Sequence, residues 1–104
     1  MKLKDRVAII TGGARGIGKE ICRTFLKEGA SVYIFDVDSD QGNKTIKEFR
    51  SAHGENKINF FNVDITAEKS VESAVKKIME MEGKVDILVN NAGITRDNLV
   101  LRMS

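Results

Sequence analysis

The stretch Val7-Ala8-Ile9-Ile10-Thr11-Gly12-Gly13-Ala14-Arg15-Gly16-Ile17-Gly18 runs from an apolar segment through clustered glycines into a helical pattern. A strand that passes through glycines into a helix N-terminus is suited to receive a phosphate. Glycines let the backbone turn sharply and approach a ligand closely, and the free N–H groups of the first helical turn point at the anion. The stretch therefore predicts a nucleotide site.

Working outward, apolar runs at 6–11, 31–36, 58–64 and 85–90 alternate with longer segments. Segment 16–28 places Ile17, Ile21 and Phe25 one turn apart, with Leu26 beside them and Gly29 as a stop signal. Segment 39–53 puts Ile46, Phe49 and His53 on one face, with Gly54 as a C-cap. Segment 67–81 puts Val71, Ala74, Val75 and Ile78 on one face, with Thr66 as N-cap and Gly83 after it. Strands alternating with helices of this length indicate βαβ units. The near-continuous apolar runs fit strands of a parallel sheet covered on both faces. Right-handed crossovers then give a Rossmann-type sheet of order 3-2-1-4, whose switch point between strands 1 and 4 is where ligands bind.

That arrangement leaves the outer edge of strand 4 unpaired, with two helices on one sheet face and one on the other. Such an apolar edge is an aggregation hazard. Residues 1–104 are accordingly expected to be the N-terminal part of a single dinucleotide-binding domain of a doubly wound fold that ends early. A free-standing nucleotide-binding or assembly module, recruiting a partner through that edge, is the competing expectation.

Composition narrows the functional classes. The 104 residues are 41% hydrophobic, enough for a globular core, and 17 basic against 15 acidic residues leave a net charge of +2. No basic stripe favours nucleic acid. No apolar run approaches the roughly 18 residues of a membrane span, and the charged start does not read as a signal peptide. One cysteine, Cys22, excludes an internal disulfide and fits a reducing cytoplasm.

The nucleotide is narrowed by spacing. The strict G-x-G-x-x-G pattern is not met, because the glycines fall as Gly12-x-x-x-Gly16-x-Gly18. A P-loop pattern runs through Gly13…Gly18-Lys19 but ends in Glu20, where Mg²⁺ binding needs a hydroxyl. Asp36 closes the second run, eighteen residues beyond Gly18, near the roughly 20 expected of a ribose-binding acid. A carboxylate there accepts from ribose hydroxyls and repels a 2′-phosphate, which favours NAD. It also reads as a solvated acid of the turn 36–40. Arg15, whose guanidinium is able to pair with a 2′-phosphate or simply to face solvent, leaves NADP open.

These residues, with Asp64 closing the third run and Asn90-Asn91-Ala92-Gly93 closing the fourth, resemble the short-chain dehydrogenase/reductases. Within that family the stretch 85–99, with Arg102-Met103, is similar to the 3-oxoacyl-[acyl-carrier-protein] reductases of fatty acid synthesis. The same stretch also resembles acetoacetyl-CoA reductases. The resemblance implies that Gly12, Arg15, Gly16, Ile17 and Gly18 line the cofactor pyrophosphate, that Asp36 holds the ribose, and that Asp64 and Ile65 border the adenine. It also implies that Asn91, Ala92 and Gly93 run beside the nicotinamide ribose, while Asn90 ties the fourth strand to its neighbours. Asp64 reads equally as a charge favouring the following helix. The implied partners are a small-molecule or carrier-bound acyl substrate and further copies of the whole protein.

The family's chemistry uses a Tyr-x-x-x-Lys pair with a serine and an asparagine, the tyrosine protonating the developing alkoxide. Here the single tyrosine, Tyr33, lies inside the second strand and is followed four residues later by Val37. It reads as a packing residue, and no catalytic residue is assigned. His53 has no partner motif and Cys22 reads as a small core residue. Met79, Met81, Glu80, Glu82 and Lys84 read as a helix end meeting solvent. The acidic turn 36–40 lacks the spacing of a calcium loop, and no metal is assigned.

Overall fold

The computed structural model describes residues 2–54, 57–92 and 100–103. The elements follow the predicted alternation: β1 (Val7–Thr11), α1 (Gly16–Lys27), β2 (Ser31–Asp36), α2 (Ser39–His53), β3 (Ile58–Asn62), α3 (Glu68–Glu82), β4 (Ile87–Asn90) and β5 (Val100–Met103). The sheet order is β3-β2-β1-β4-β5. The first four strands pair in parallel, with Ile9 opposite both Tyr33 and Leu88.

Two expectations at the sheet edges are corrected. β5 pairs antiparallel with β4, Leu88 opposite Arg102, so the outer edge of β4 is not unpaired and offers no docking edge for a partner. The third strand ends at Asn62 rather than at 64, which leaves Asp64 on the turn that follows.

Alternation along each strand divides the core in two. Ala8, Ile10, Val32, Ile34, Ile87 and Val89 face α1 and α2, where Cys22, Leu26 and Phe49 close over them. Val7, Ile9, Tyr33 and Phe35 face α3, meeting Ala74 and Ile78. Two helices on one face and one on the other is the predicted distribution, and of the predicted stripe α3 buries Ala74 and Ile78, with Val71 and Val75 half-buried against the same core.

The other two helices are rotated relative to expectation. The buried row of α1 is Gly18, Cys22 and Leu26; of the expected stripe, Leu26 is buried, Ile21 and Phe25 are half-buried against the same core, and Ile17 is 66% exposed. The buried row of α2 is Gly42, Thr45 and Phe49, with Ile46 and His53 only half-buried. Close approach decides both. A Cβ on Gly18 would sit 2.1 Å from the Gly12 carbonyl oxygen, and one on Gly42 would sit 2.4 Å from the Phe60 ring. The glycine side of each helix is the side that fits against its neighbour.

The helix ends follow local chemistry. After α1 the Gly29 N–H donates to the Leu26 carbonyl and the Ala30 N–H to the Phe25 carbonyl, both at 3.1 Å, with Gly29 at φ 91°. This is the Schellman arrangement, which needs a left-handed residue. Gly83 (φ 77°) ends α3. Thr66 does not cap α3. Ala67 occupies that position, because the Thr66 hydroxyl and N–H both donate to Asp64 Oδ1, at 2.6 and 2.9 Å.

Candidate functional site

The carboxyl ends of β1, β2 and β4 bring three segments together. β1 runs into Gly12, whose N–H donates to the Phe35 carbonyl at 2.7 Å and carries the ladder into the loop. Gly12 (φ 66°) and Gly16 (φ 60°) both adopt the left-handed conformation that glycine tolerates. A Cβ on Gly12 would lie 3.1 Å from the Ala92 Cα, whereas one on Gly16 would meet nothing within 4 Å. Gly12 thus turns the chain under the end of β4, Gly16 turns it before open space, and Gly18 allows α1 to close onto the loop. The spacing of the three glycines follows from these separate demands.

α1 begins directly behind this loop. Its N-cap, Arg15, is extended (φ −157°, ψ 172°) and makes no side-chain cap, and the first turn holds no acidic residue. The N–H groups at 16–18 therefore keep their donor capacity and partial positive charge at the loop. Ile17 stands exposed on this first turn.

Asp36, at the end of β2, is half-buried and faces the loop. Its Oδ2 accepts from the Ala14 N–H at 3.3 Å and its Oδ1 from the Asp38 N–H at 3.1 Å. Asp38 caps α2, accepting from the Gln41 N–H at 3.0 Å, while its other oxygen stands 4.0 Å from Arg15 Nη1. The Arg15 side chain is otherwise open to solvent. Arg15 thus has the Asp38 carboxylate at its edge, and Asp36 sets a second carboxylate two residues earlier at the end of β2.

β4 closes the site from the other side. Asn91 Nδ2 donates to the Gly12 carbonyl at 3.1 Å, and the Ala92 N–H donates to Thr11 Oγ1 at 3.0 Å. The Thr11 hydroxyl lies 3.3 Å from Asn90 Oδ1 and 3.4 Å from the Val89 carbonyl. Asn90 therefore ties β4 to β1, as expected of it. Gly93 and residues 94–99 lie outside the described residues. Asp64 is exposed on the turn after β3 with Ile65 half-buried beside it, and the two Thr66 bonds hold the Asp64 carboxyl below its usual range.

The structure separates the remaining chemically suggestive residues from this cluster. Tyr33 lies on the α3 face, its ring edge-on to Phe61 at 5.9 Å and its hydroxyl donating to Glu82 Oε2 at 2.5 Å. Burial, and then the Glu82 carboxylate, push the phenol above its ordinary value, so it is held as a protonated packing residue. Cys22 is fully buried beneath the loop, and burial pushes its thiol up to about 12. His53 leans on Phe49, with ring centroids 6.4 Å apart.

Sequence reasoning missed three polar residues that shape the loop: Thr11, Asp38 and Thr45. Thr11 and Asp38 stand next to recognised positions. Thr45 left a fainter signal, a polar residue one turn before Phe49 on the buried row of α2.

The family model for short chain dehydrogenase matches residues 6–104. The chain is 43% identical over 102 residues to a 3-oxoacyl-[acyl-carrier-protein] reductase of Chlamydia pneumoniae, covering 98% of the chain and 40% of that protein. It is 42% identical over 103 residues to the reductase of the same name from Escherichia coli, covering 99% of the chain and 40% of that protein. The solved structure of glucose dehydrogenase from Caenorhabditis elegans superposes with a TM-score of 0.82 at 31% identity. That match takes in 91% of this chain and 40% of the other. The chain thus spans about two-fifths of the length of the curated relatives it matches.

Proposed function

As this chain belongs to the short chain dehydrogenase family, we propose that it supplies the dinucleotide site of an NAD(P)-dependent oxidoreductase that reduces a 3-oxoacyl thioester to the 3-hydroxyacyl form. The observation that carries the reading is the convergence of the glycine turn, Asp36 and Asn91 at the ends of three adjacent strands. The glycines fit a pyrophosphate: the backbone takes left-handed turns, a side chain at Gly16 would project into open space, and the α1 N-terminus faces the turn. Gly12, Arg15, Gly16, Ile17 and Gly18 would line the phosphates, and Asp36 the adenosine ribose. Asp64 and Ile65 would border the base, and Asn91, Ala92 and Gly93 the nicotinamide ribose.

Asp36 favours NAD, since it and Asp38 set two carboxylates where a 2′-phosphate would need a cation, and Asp38 already engages Arg15. When bound, the nicotinamide supplies the hydride. The protein must supply a proton to the nascent alkoxide. No residue of the 104 completes a Tyr-x-x-x-Lys pair, and Tyr33 is committed to Glu82 on the α3 face. We therefore read this chain as the cofactor-holding part, with proton transfer performed by residues outside it. Likeness to the two 3-oxoacyl-[acyl-carrier-protein] reductases supports an acyl group on a carrier as substrate.

The test is titration of the chain with NADH and NADPH by fluorescence, followed by a reductase assay on short 3-oxoacyl thioesters with a longer form bearing a Tyr-x-x-x-Lys pair. NADH binding to the chain, and NADH oxidation only by the longer form, are expected. A chain that binds neither dinucleotide ends the reading. A longer form that binds NADH but reduces no 3-oxoacyl thioester ends the substrate assignment alone.

A further inference from the structure

Ala14, fully buried at the outer bend of the glycine loop, is held from both sides. Its N–H donates to Asp36, while its carbonyl oxygen accepts from the hydroxyl of Thr45 on α2 at 2.5 Å. Thr45 is 1% exposed, and Gln41 Nε2 supports it, lying 3.4 Å from the Thr45 hydroxyl and 3.5 Å from the same carbonyl. A threonine inside a helix ordinarily turns its hydroxyl back to the carbonyl one turn earlier. Here the hydroxyl reaches instead across 31 residues of sequence to the loop.

The consequence follows from peptide geometry. The Ala14 carbonyl and the Arg15 N–H share one trans plane and point in opposite directions. Drawing the carbonyl toward α2 turns the Arg15 N–H away from α2. It also sets the peptide that leads into Gly16 and the first turn of α1, so the direction of the donors at the mouth of the loop depends on a bond made by another helix. The stretch from Gly12 to Gly18 contains four glycines and has little intrinsic stiffness.

We propose that Thr45 is a positioning residue of the dinucleotide site: its hydroxyl orients the Ala14–Arg15 peptide so that the loop is pre-set for the pyrophosphate. This rests on the reading of the loop given under the proposed function. Thr45 touches neither the cofactor nor the substrate in this account. It acts through Ala14, by sparing the loop the cost of ordering when the phosphates arrive.

The experiment compares the full chain with Thr45→Val, which keeps the shape and removes the hydroxyl, and with Thr45→Ser, which restores it. Each is titrated with NADH and, by amide chemical shifts, with adenosine, which lacks the phosphates. Thr45→Val is expected to weaken NADH about three- to tenfold, the equilibrium worth of one neutral hydrogen bond, with adenosine unchanged and Thr45→Ser near wild type. Shifts of the Ala14 to Gly18 amides in Thr45→Val should mark the reoriented loop. Equal NADH affinity in Thr45→Val and wild type overturns the proposal, as does equal weakening of NADH and adenosine, which marks a structural role only. Failure of wild type to bind NADH overturns the underlying reading instead. If Thr45→Val does not fold, Thr45→Ala, which sets no methyl against the carbonyl, takes its place under the same criteria.

Discussion

Each oxygen of the Asp36 carboxylate already accepts one backbone N–H, one from the glycine loop and one from Asp38. A carboxylate has lone-pair capacity beyond these two bonds, so the side chain that latches the loop would, under the proposed function, also accept from ribose hydroxyls. Asp36→Ala removes both functions. NADH affinity should fall, and the preference for NADPH relative to NADH should rise about tenfold, as expected when one charge-assisted hydrogen bond and one like-charge repulsion disappear together. Parallel titrations of mutant and wild type measure this, and an unchanged ratio would show that Asp36 does not read the ribose. Position 36 was legible because an acid ends an apolar run at a fixed distance from the glycines. Its bond to Ala14 was not legible, since nothing in residue spacing reveals which loop amide faces a given carboxylate.

At the scale of the element, α1 shows how a correct helix carries a misread face. The apolar series Ile17, Ile21, Phe25 has the right period, but the helix lies one residue further round, on Gly18, Cys22 and Leu26. Hydrophobic periodicity finds the stripe, yet a neighbouring backbone that tolerates only glycine sets the rotation. Leu26→Ala should therefore cost about 2–5 kcal/mol, the range for a buried leucine, whereas Ile17→Ala should stay within about 0.5 kcal/mol. Urea unfolding of the two variants decides between the faces; the reverse ranking would restore the stripe read from periodicity. The same reasoning applies to α2, where Gly42 against Phe60 turns Thr45 inward and brings its hydroxyl to the loop.

Across the whole molecule, β1 and β4 adjoin although nearly eighty residues separate them, and both ends of that pair are tied. At the end away from the site, the Val7 N–H donates to Asp86 Oδ2 and the Asp86 N–H donates to the Val7 carbonyl, both at 2.8 Å. Lys84 stands 3.1 Å and Arg6 3.6 Å from the same carboxylate. The Val7 bond, with help from Lys84 and Arg6, holds the Asp86 carboxyl below its usual range. A carboxyl depressed in the folded state contributes stability that is full above its unfolded value and is lost as pH falls through the folded one. The thermal midpoint should therefore drop as pH falls below about 5 and go on dropping through the depressed folded value, and Asp86→Asn should lower stability at neutral pH while flattening that drop. An identical pH dependence in the mutant would show that this carboxylate does not govern the acid limb. Residue order alone carried the alternation of strands and helices, the order of the four parallel strands and the glycines with Asp36 beyond them, because periodicity, crossover handedness and glycine conformation are local or nearly local properties, while Asn91 came from the family resemblance. Packing alone set the antiparallel β5 on the edge of β4, the rotation of α1 and α2, and the grip of Thr45 on the loop. Those depend on which surfaces approach closely enough to exclude a side chain or share a hydrogen bond, and such distances arise only when segments far apart in the chain are packed together.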